Sequence, residues 1–224
     1  MRIAIVALLL MAGVVAARAA EPESALVAKA QAALQARDGA TAEGLFRQLT
    51  AMAPANWTYL QGLADAQSVQ GKYADAVATY DKALVPAIAA GDANSRAAAG
   101  AMLTVQGTDY LRLKKFPQAV AAFRKATDYV PNEGVAWFNL CAAAYNVGDV
   151  ATAASACDKA IAADPSKADA YFIKGSLMVG DSKTGPNGKI LPPKGTIETL
   201  QKYLALAPNG PHVKDVNEML GALK

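Results

Sequence analysis

The chain has 224 residues, 53% of them hydrophobic and 18% charged, so it can bury a core and is too apolar for a disordered protein. It carries 22 Lys and Arg against 19 Asp and Glu, and its densest basic cluster is only Lys114 and Lys115. Nucleic acid requires a concentrated basic patch and is therefore excluded as a partner. With two cysteines and one histidine, no metal site is expected either.

Residues 1–19 predict a secretory signal peptide. Arg2 gives a positive start, an apolar stretch follows, and Ala17-Arg18-Ala19 has the small-x-small pattern of a cleavage site. The apolar stretch is shorter than the about 20 residues that a membrane-spanning helix needs, although an uncleaved N-terminal anchor stays open as an alternative. Cleavage after Ala19 leaves 20 basic and 19 acidic residues. We therefore expect an exported, nearly neutral protein with no membrane insertion after cleavage.

An internal repeat runs through the remainder of the chain. Ala42, Ala76, Ala119 and Ala153 are separated by 34, 43 and 34 residues, and a further step of 43 residues reaches Thr196. A period of 34 residues is typical of stacked helix–turn–helix units. The sequence therefore predicts a single all-α array over residues 20–224, which has no ready-made catalytic cleft.

The residues within each period resemble those of the tetratricopeptide repeat family. The elements that carry the resemblance are Ala42, Phe46 and Pro54; Ala119, Phe123 and Pro131; Ala153, Cys157 and Pro165; and, in the first helices, Trp137 with Leu140, Leu60 with Leu63, and Gly107 with Tyr110. The resemblance covers nearly the whole mature chain. It implies a right-handed α-solenoid of about five helix hairpins, in residues 23–56, 57–90, 100–133, 134–167 and 168–210, with a capping helix in residues 211–224.

Two segments depart from the regular period. Gly91-Asp92 predicts a break around which the flanking helices extend. Residues 181–195 predict a small turn or hairpin insertion, because Gly185-Pro186-Asn187-Gly188 is strong turn chemistry and residues 189–191 suit a short strand. The insertion is interpreted either as a partner contact or as a tolerated loop. Residues 195–212 also resemble the ending of some exported bacterial repeat proteins, and this ending implies no particular activity. With the predicted signal peptide, we expect a periplasmic, extracellular or envelope-associated protein of a bacterium.

Cys141 and Cys157 occupy positions that the family fills with glycine and an aromatic residue. Both positions face the contact between the two helices of one hairpin. Two interpretations stay open: a disulfide formed in an oxidising compartment, or two buried thiols that act as small apolar side chains.

The resemblance also implies a binding groove. In this family the concave face is lined by side chains one, five and eight places after the tryptophan position of each first helix. The expected groove and its edges consist of Gln61, Asp65, Thr104, Thr108, Arg112, Phe138, Asn139, Tyr145, Asn146, Phe172 and Ser176. Members that bind acidic chaperone tails have lysine where this chain has Gln61, Thr104 and Phe138, so that specialisation is not implied. Alternatively, some of the rings of Phe138, Tyr145 and Phe172 pack on neighbouring helices.

Catalytic chemistry is not indicated. His212 lies in an Asn-Gly-Pro-His turn that is expected to be exposed, and no nucleophile with a base partner or phosphate-binding glycine loop is present. The sequence predicts a non-catalytic module without a cofactor that binds a protein or peptide. An architectural or self-associating component of an envelope assembly is the alternative, and an enzyme is a minor one.

Overall fold

The computed structural model describes residues 22–130 and 133–223 and is almost wholly helical. The predicted signal peptide, residues 1–19, lies outside the described residues. The helices are α1 (Glu23–Gln35), α2 (Gly39–Met52), α3 (Trp57–Val69), α4 (Tyr73–Ala90), α5 (Ala93–Arg112), α6 (Phe116–Tyr129), α7 (Gly134–Asn146), α8 (Val150–Ala163), α9 (Ala168–Gly180), α10 (Thr196–Leu206) and α11 (Val213–Ala222). None of the described helices is both long and apolar enough to cross a membrane.

Consecutive helices pack against each other along the whole array. They form the hairpins α1–α2, α3–α4, α5–α6, α7–α8 and α9–α10, and α11 packs on α9 and α10. First helices of neighbouring hairpins also touch, as α7 does with α9. The prediction of a solenoid of five helix hairpins followed by a capping helix is confirmed.

Four of the hairpins turn in the same way. Two residues after the end of each first helix lies a residue with a left-handed backbone, with φ of 56° at Arg37, 75° at Gly71, 58° at Lys114 and 76° at Gly148. The following amide donates back to a carbonyl five residues earlier, as from Lys115 to Tyr110 at 2.8 Å. This is the arrangement that commonly closes a helix, and it turns the chain directly into the second helix. The basic pair therefore forms part of this turn: Lys114 has the left-handed backbone, and the Lys115 amide donates the hydrogen bond that closes α5.

The expected break lies where α4 meets α5. Gly91 has φ of 69°, a conformation that glycine adopts without steric cost, and it ends α4. Asp92 then caps α5 by accepting hydrogen bonds from the amides of Asn94 and Ser95 at 2.9 and 3.0 Å. As a result α4 and α5 have 18 and 20 residues, whereas the other helices have 10 to 14.

The core of the described residues is divided into clusters that join neighbouring hairpins. One joins α1, α2 and α3 through Leu26, Phe46 and Leu63. The next contains Tyr80 and Met102 between the second and third hairpins. Two more follow, one around Phe123, Leu140 and Ile173 and one around Leu200, Tyr203 and Val216. Each hairpin thus buries its apolar face only against its neighbours, as expected of a solenoid.

The insertion forms a small antiparallel hairpin after α9. Strand β1 (Lys183–Thr184) pairs with β2 (Ile190–Leu191), with Lys183 opposite Leu191 and Thr184 opposite Ile190. A short 3₁₀ turn, Pro186–Gly188, joins the strands. The predicted turn and strand are confirmed.

An ion-pair cluster joins the first two hairpins. The Glu43 carboxylate accepts hydrogen bonds from Lys72 Nζ, Arg47 Nη2 and Gln70 Nε2 at 2.6, 2.6 and 2.8 Å. These bonds, that from Lys72 first, lower the pKa of Glu43 to about 2. The lowered pKa stabilises the fold above the ordinary value of 4.5, and this contribution is lost as the pH falls through about 2.

We expect Glu43→Gln to lower the free energy of unfolding at neutral pH by about 1 kcal/mol. The value is small because Arg47 and Lys72 are 62% and 45% exposed and water screens their charges. Urea unfolding at neutral pH and near pH 2 measures the effect. A difference between variant and wild type that persists near pH 2 would contradict an ionic origin.

Candidate functional site

The candidate site is the first-helix face, defined as the predicted groove residues of α3, α5, α7 and α9. Glycines allow two of these helices to lie close to the second helix of their hairpin. A Cβ atom on Gly107 would lie 2.6 Å from the Phe123 ring, and one on Gly175 would lie 2.5 Å from Leu200. These distances are too short for a carbon contact, so glycine sets the separation of the paired helices and thereby the position of the face.

The hairpin α7–α8 replaces this contact with a covalent one. Cys141 and Cys157, which correspond to Gly107 and Phe123 one repeat earlier, form a disulfide with an S–S distance of 2.01 Å and a Cα–Cα distance of 5.0 Å. Both side chains are fully buried. Of the two interpretations left open by the sequence, the structure therefore contains the disulfide.

One buried and one half-buried carboxyl group lie at the junction of α3, α4 and α5. The Tyr80 hydroxyl donates a hydrogen bond to Asp65, and the Ser68 hydroxyl donates to Asp109 Oδ1 at 2.7 Å. Asp109 is only 1% exposed, and its Oδ2 has no hydrogen-bond partner among the described residues. Asp65 is a half-buried member of the predicted face, and the half-buried Ser68 lies one turn further along α3, so Asp109 is held beside the face.

The surroundings of these carboxyl groups favour their neutral forms. Burial away from water raises the pKa of Asp109 to about 6, and the nearby Asp65 carboxylate adds to this, whereas the Ser68 hydrogen bond and Arg112 act in the opposite direction. Burial also raises the pKa of Asp65, against the effect of the Tyr80 hydrogen bond. At the N-terminal part of the face, burial therefore raises the pKa of Asp65 and of the adjacent Asp109.

Several hydroxyl groups on the face are bound to their own helix. Thr104 Oγ1 donates to the Gly100 carbonyl at 2.9 Å, Thr108 Oγ1 to the Thr104 carbonyl at 3.1 Å, and Ser176 Oγ to the Phe172 carbonyl at 2.9 Å. Each hydroxyl is thus occupied as a donor and keeps its acceptor capacity. Gln61 is half-buried and Arg112 is exposed.

Two aromatic rings of the predicted face lie on α7. Phe138 and Tyr145 are both half-buried, and the amide side chains beside them belong to Asn139, which is half-buried, and Asn146, which is exposed. The Lys167 ammonium lies 4.6 Å from the centre of the Phe138 ring, a cation–π distance. Both rings also contact the core around Phe123 and remain partly exposed.

The cap occupies the end of the predicted groove. The Phe172 ring stacks on His212, with ring centres 3.8 Å apart and planes 3° from parallel, and the His212 amide donates to the Tyr203 hydroxyl at 2.9 Å. Ser176 Oγ lies 3.9 Å from Met219 Sδ of α11. His212 is therefore not the exposed turn residue that the sequence indicates, since its side chain is only 35% exposed. Phe172 packs on a neighbouring segment, as the alternative interpretation of this ring states.

The repeat assignment rests on two long segments of the chain. Residues 27–94 and 104–177 match the family model described as tetratricopeptide repeat. The chain belongs to the tetratricopeptide repeat family. The two segments contain the first-helix residues from Gln61 to Ser176 that the family pattern places on the face.

Solved tetratricopeptide repeat structures share the fold. The crystal structure of YrrB, described as a TPR protein with an unusual peptide-binding site, has a TM-score of 0.68 and 18% identity, over 86% of this chain and 90% of that one. A crystal structure of MamA has a TM-score of 0.65 and 17% identity, over 83% and 92%. MamA from Desulfovibrio magneticus RS-1 has a TM-score of 0.64 and 17% identity, over 84% of this chain and 97% of that one. The chain matches no curated protein sequence.

The family pattern misses three features of the site. Asp109 is not among the predicted face residues, although an aspartate between Thr108 and Tyr110 in a helix rich in buried residues is an available signal. His212 is assigned to an exposed turn. A cavity between α7, α8, α9 and the insertion is not anticipated at all. In residues 22–130 and 133–223, no group of three or more His, Cys, Asp or Glu side chains is placed to hold a metal ion.

Proposed function

We propose that this tetratricopeptide repeat protein is a non-catalytic module that binds an extended segment of another protein along the first-helix face. The observation that carries the proposal is the pair of half-buried rings on α7. Phe138 and Tyr145 are seven residues apart, which places them on the same side of the helix about two turns apart, with Asn139 and Asn146 next to them. Partly exposed rings beside amide groups supply the apolar anchors and hydrogen bonds that protein recognition uses.

The architecture supports the same proposal. Stacked hairpins present a long continuous surface to which each first helix contributes, and such surfaces suit an extended partner. YrrB, which shares the fold, is described as having a peptide-binding site. Because the Phe172 ring is stacked on His212, the aromatic contact of the proposed face is assigned to the rings of α7.

We also propose that the protein is exported and works in the periplasm, outside the cell or at the envelope of a bacterium. The signal-peptide pattern of residues 1–19 supports this location. The buried disulfide supports it independently, because such bonds form and persist mainly in oxidising compartments.

The proposal is tested with a random-sequence peptide library selected on the purified protein. We expect Phe138→Ala to weaken the selected peptides roughly tenfold, or about 1.4 kcal/mol, because it removes an apolar anchor. Phe116→Ala is the matched control, since Phe116 is 43% exposed at the start of α6 and lies outside the face. Fluorescence anisotropy with labelled peptides measures both affinities.

A second variant covers the case in which Phe138→Ala disturbs the core. Thr108 is exposed, so Thr108→Lys places a long charged side chain on the face without removing any apolar packing. It too should weaken binding. Peptides that bind both variants with the same affinity as they bind the wild type would contradict the proposed face.

The self-associating alternative is favoured by exposed apolar side chains such as Val85 and Val135, which are 71% and 58% exposed. Analytical ultracentrifugation separates the two functions. A concentration-dependent oligomer, with no peptide selected from the library, would support self-association instead.

A further inference from the structure

A cavity of about 660 Å³ lies where the first-helix face meets the insertion. It is a pocket open to solvent, bordered by the end of α7, the start of α8, the last turns of α9 and the segment that follows β2. The side chains that form most of it are Tyr145, Val150, Ala154, Leu177, Met178 and Pro193. The volume falls in the range of pockets that hold small ligands or large side chains.

The lining of this cavity is mostly apolar, and its polar side chains are those of Tyr145, Ser176 and Asp181. Tyr145 and Ser176 belong to the first-helix face and also line the cavity, so the two surfaces are continuous. Val150, the first residue of α8 and also a lining residue, is 58% exposed. An apolar cavity that is continuous with a binding face is suited to a large apolar side chain of the protein segment bound to that face.

The insertion adds positive charge next to the cavity. Asp181 and Pro193, which flank the β hairpin on its two sides, both line the cavity. The segment between and just after them contains Lys183, Lys189 and Lys194, all exposed. None of the three lysines has an ion-pair partner within the part of the chain that the structure describes. Residues 181–194 thus carry three lysines and one acidic residue, Asp181, and this net positive charge of the insertion is complementary to acidic residues.

We propose that the cavity anchors a large apolar side chain of the partner segment and that acidic residues beside this side chain face Lys183, Lys189 and Lys194. The inference rests on the proposed function, because it assigns one part of the bound segment to one end of the first-helix face. The apolar anchor supplies most of the affinity. The lysines select acidic flanking residues and speed association, and their effect is screened by salt.

A defined probe tests the cavity without knowledge of the partner. Anilinonaphthalene sulfonate combines an apolar ring system with an anionic group, which matches both parts of the site. We expect its fluorescence to report binding to the wild type and Ala154→Phe to weaken that binding at least tenfold by filling the cavity. Ala162→Phe is the matched control, because Ala162 is exposed on the same helix, α8, and does not line the cavity.

A charge variant covers the case in which Ala154→Phe fails to fold. Lys183→Glu, Lys189→Glu and Lys194→Glu together alter only exposed side chains of the insertion and leave the apolar lining intact. We expect this triple variant to weaken probe binding about tenfold at low salt and less at high salt. Equal binding by the wild type and the triple variant at low salt would overturn the electrostatic part of the inference.

The peptides selected on the wild type separate the inference from the proposed function. We expect them to contain a large apolar residue flanked by Asp or Glu, and to lose affinity in Ala154→Phe but not in Ala162→Phe. Peptides that depend on Phe138 but tolerate Ala154→Phe would overturn the inference and leave the proposed function intact. Peptides that depend on Ala154 but tolerate Phe138→Ala and Thr108→Lys would support the anchor site and contradict the proposed face. If the wild type forms a dimer that Ala154→Phe dissociates, the cavity receives a second copy and the inferred partner is wrong.

Discussion

Reduction of the Cys141–Cys157 disulfide is expected to lower the free energy of unfolding by about 3 kcal/mol. The bond closes a loop between residues separated by 16 positions, and a cross-link over about 15 residues restricts the unfolded chain by this amount. For a chain of this size the loss corresponds to a fall in melting temperature of roughly 6 to 12 °C. Differential scanning calorimetry of the oxidised and reduced protein measures it.

The control for this prediction is the double variant Cys141→Ala and Cys157→Ala. Its melting temperature should be lower than that of the oxidised wild type and should not respond to reductant. Both sulfur atoms are fully buried, so the wild type must be reduced in denaturant and refolded before the measurement. Equal melting temperatures for the reduced and the oxidised wild type would show that the cross-link adds nothing to stability.

Asp109→Asn is expected to stabilise the fold at neutral pH by up to about 3 kcal/mol. The pKa of Asp109 rises from 3.8 to about 6 on folding, and each unit corresponds to about 1.4 kcal/mol. Protonated Asp109 therefore contributes stability that is fully present below pH 3.8 and is lost as the pH rises through about 6. Asparagine stays neutral throughout and keeps an oxygen for the Ser68 hydroxyl, so the variant should exceed the wild type at neutral pH and match it near pH 4.

Urea unfolding at several pH values between 4 and 7 tests this prediction. The matched control is Asp128→Asn, because Asp128 is exposed on α6, and its replacement should leave the pH dependence unchanged. A wild type whose stability is constant across this pH range would show that Asp109 is not buried as a charge in the folded protein.

The sequence predicts the array well because its determinants are local. The alanine and aromatic positions recur within each period, and each hairpin packs mainly on the next one, so a regular spacing is enough to place the helices. The break between α4 and α5 is also local, because Gly91 supplies the left-handed residue and Asp92 the cap. Cys141 and Cys157 are likewise a candidate pair from the sequence, because they occupy the glycine and aromatic positions at which the two helices of a hairpin touch.

Features that depend on the alignment of separate helices were not predictable in this way. Ser68 and Asp109 are 41 positions apart, and their hydrogen bond requires a particular offset between α3 and α5. The stacking of Phe172 on His212 depends on the path of the chain between α10 and α11, which no repeat position specifies. The cavity results from the space left between three helices and an insertion that lies outside the period.

The division of the core into successive clusters has a mechanical consequence. A destabilising mutation at either end can unfold the terminal hairpin alone, because that hairpin packs on only one neighbouring hairpin. A mutation that unfolds the third hairpin, by contrast, removes the contacts that couple the first two hairpins to the last two, and each half can then unfold independently of the other. Tolerance to mutation should therefore follow distance from the middle of the rod more closely than the depth of any one side chain.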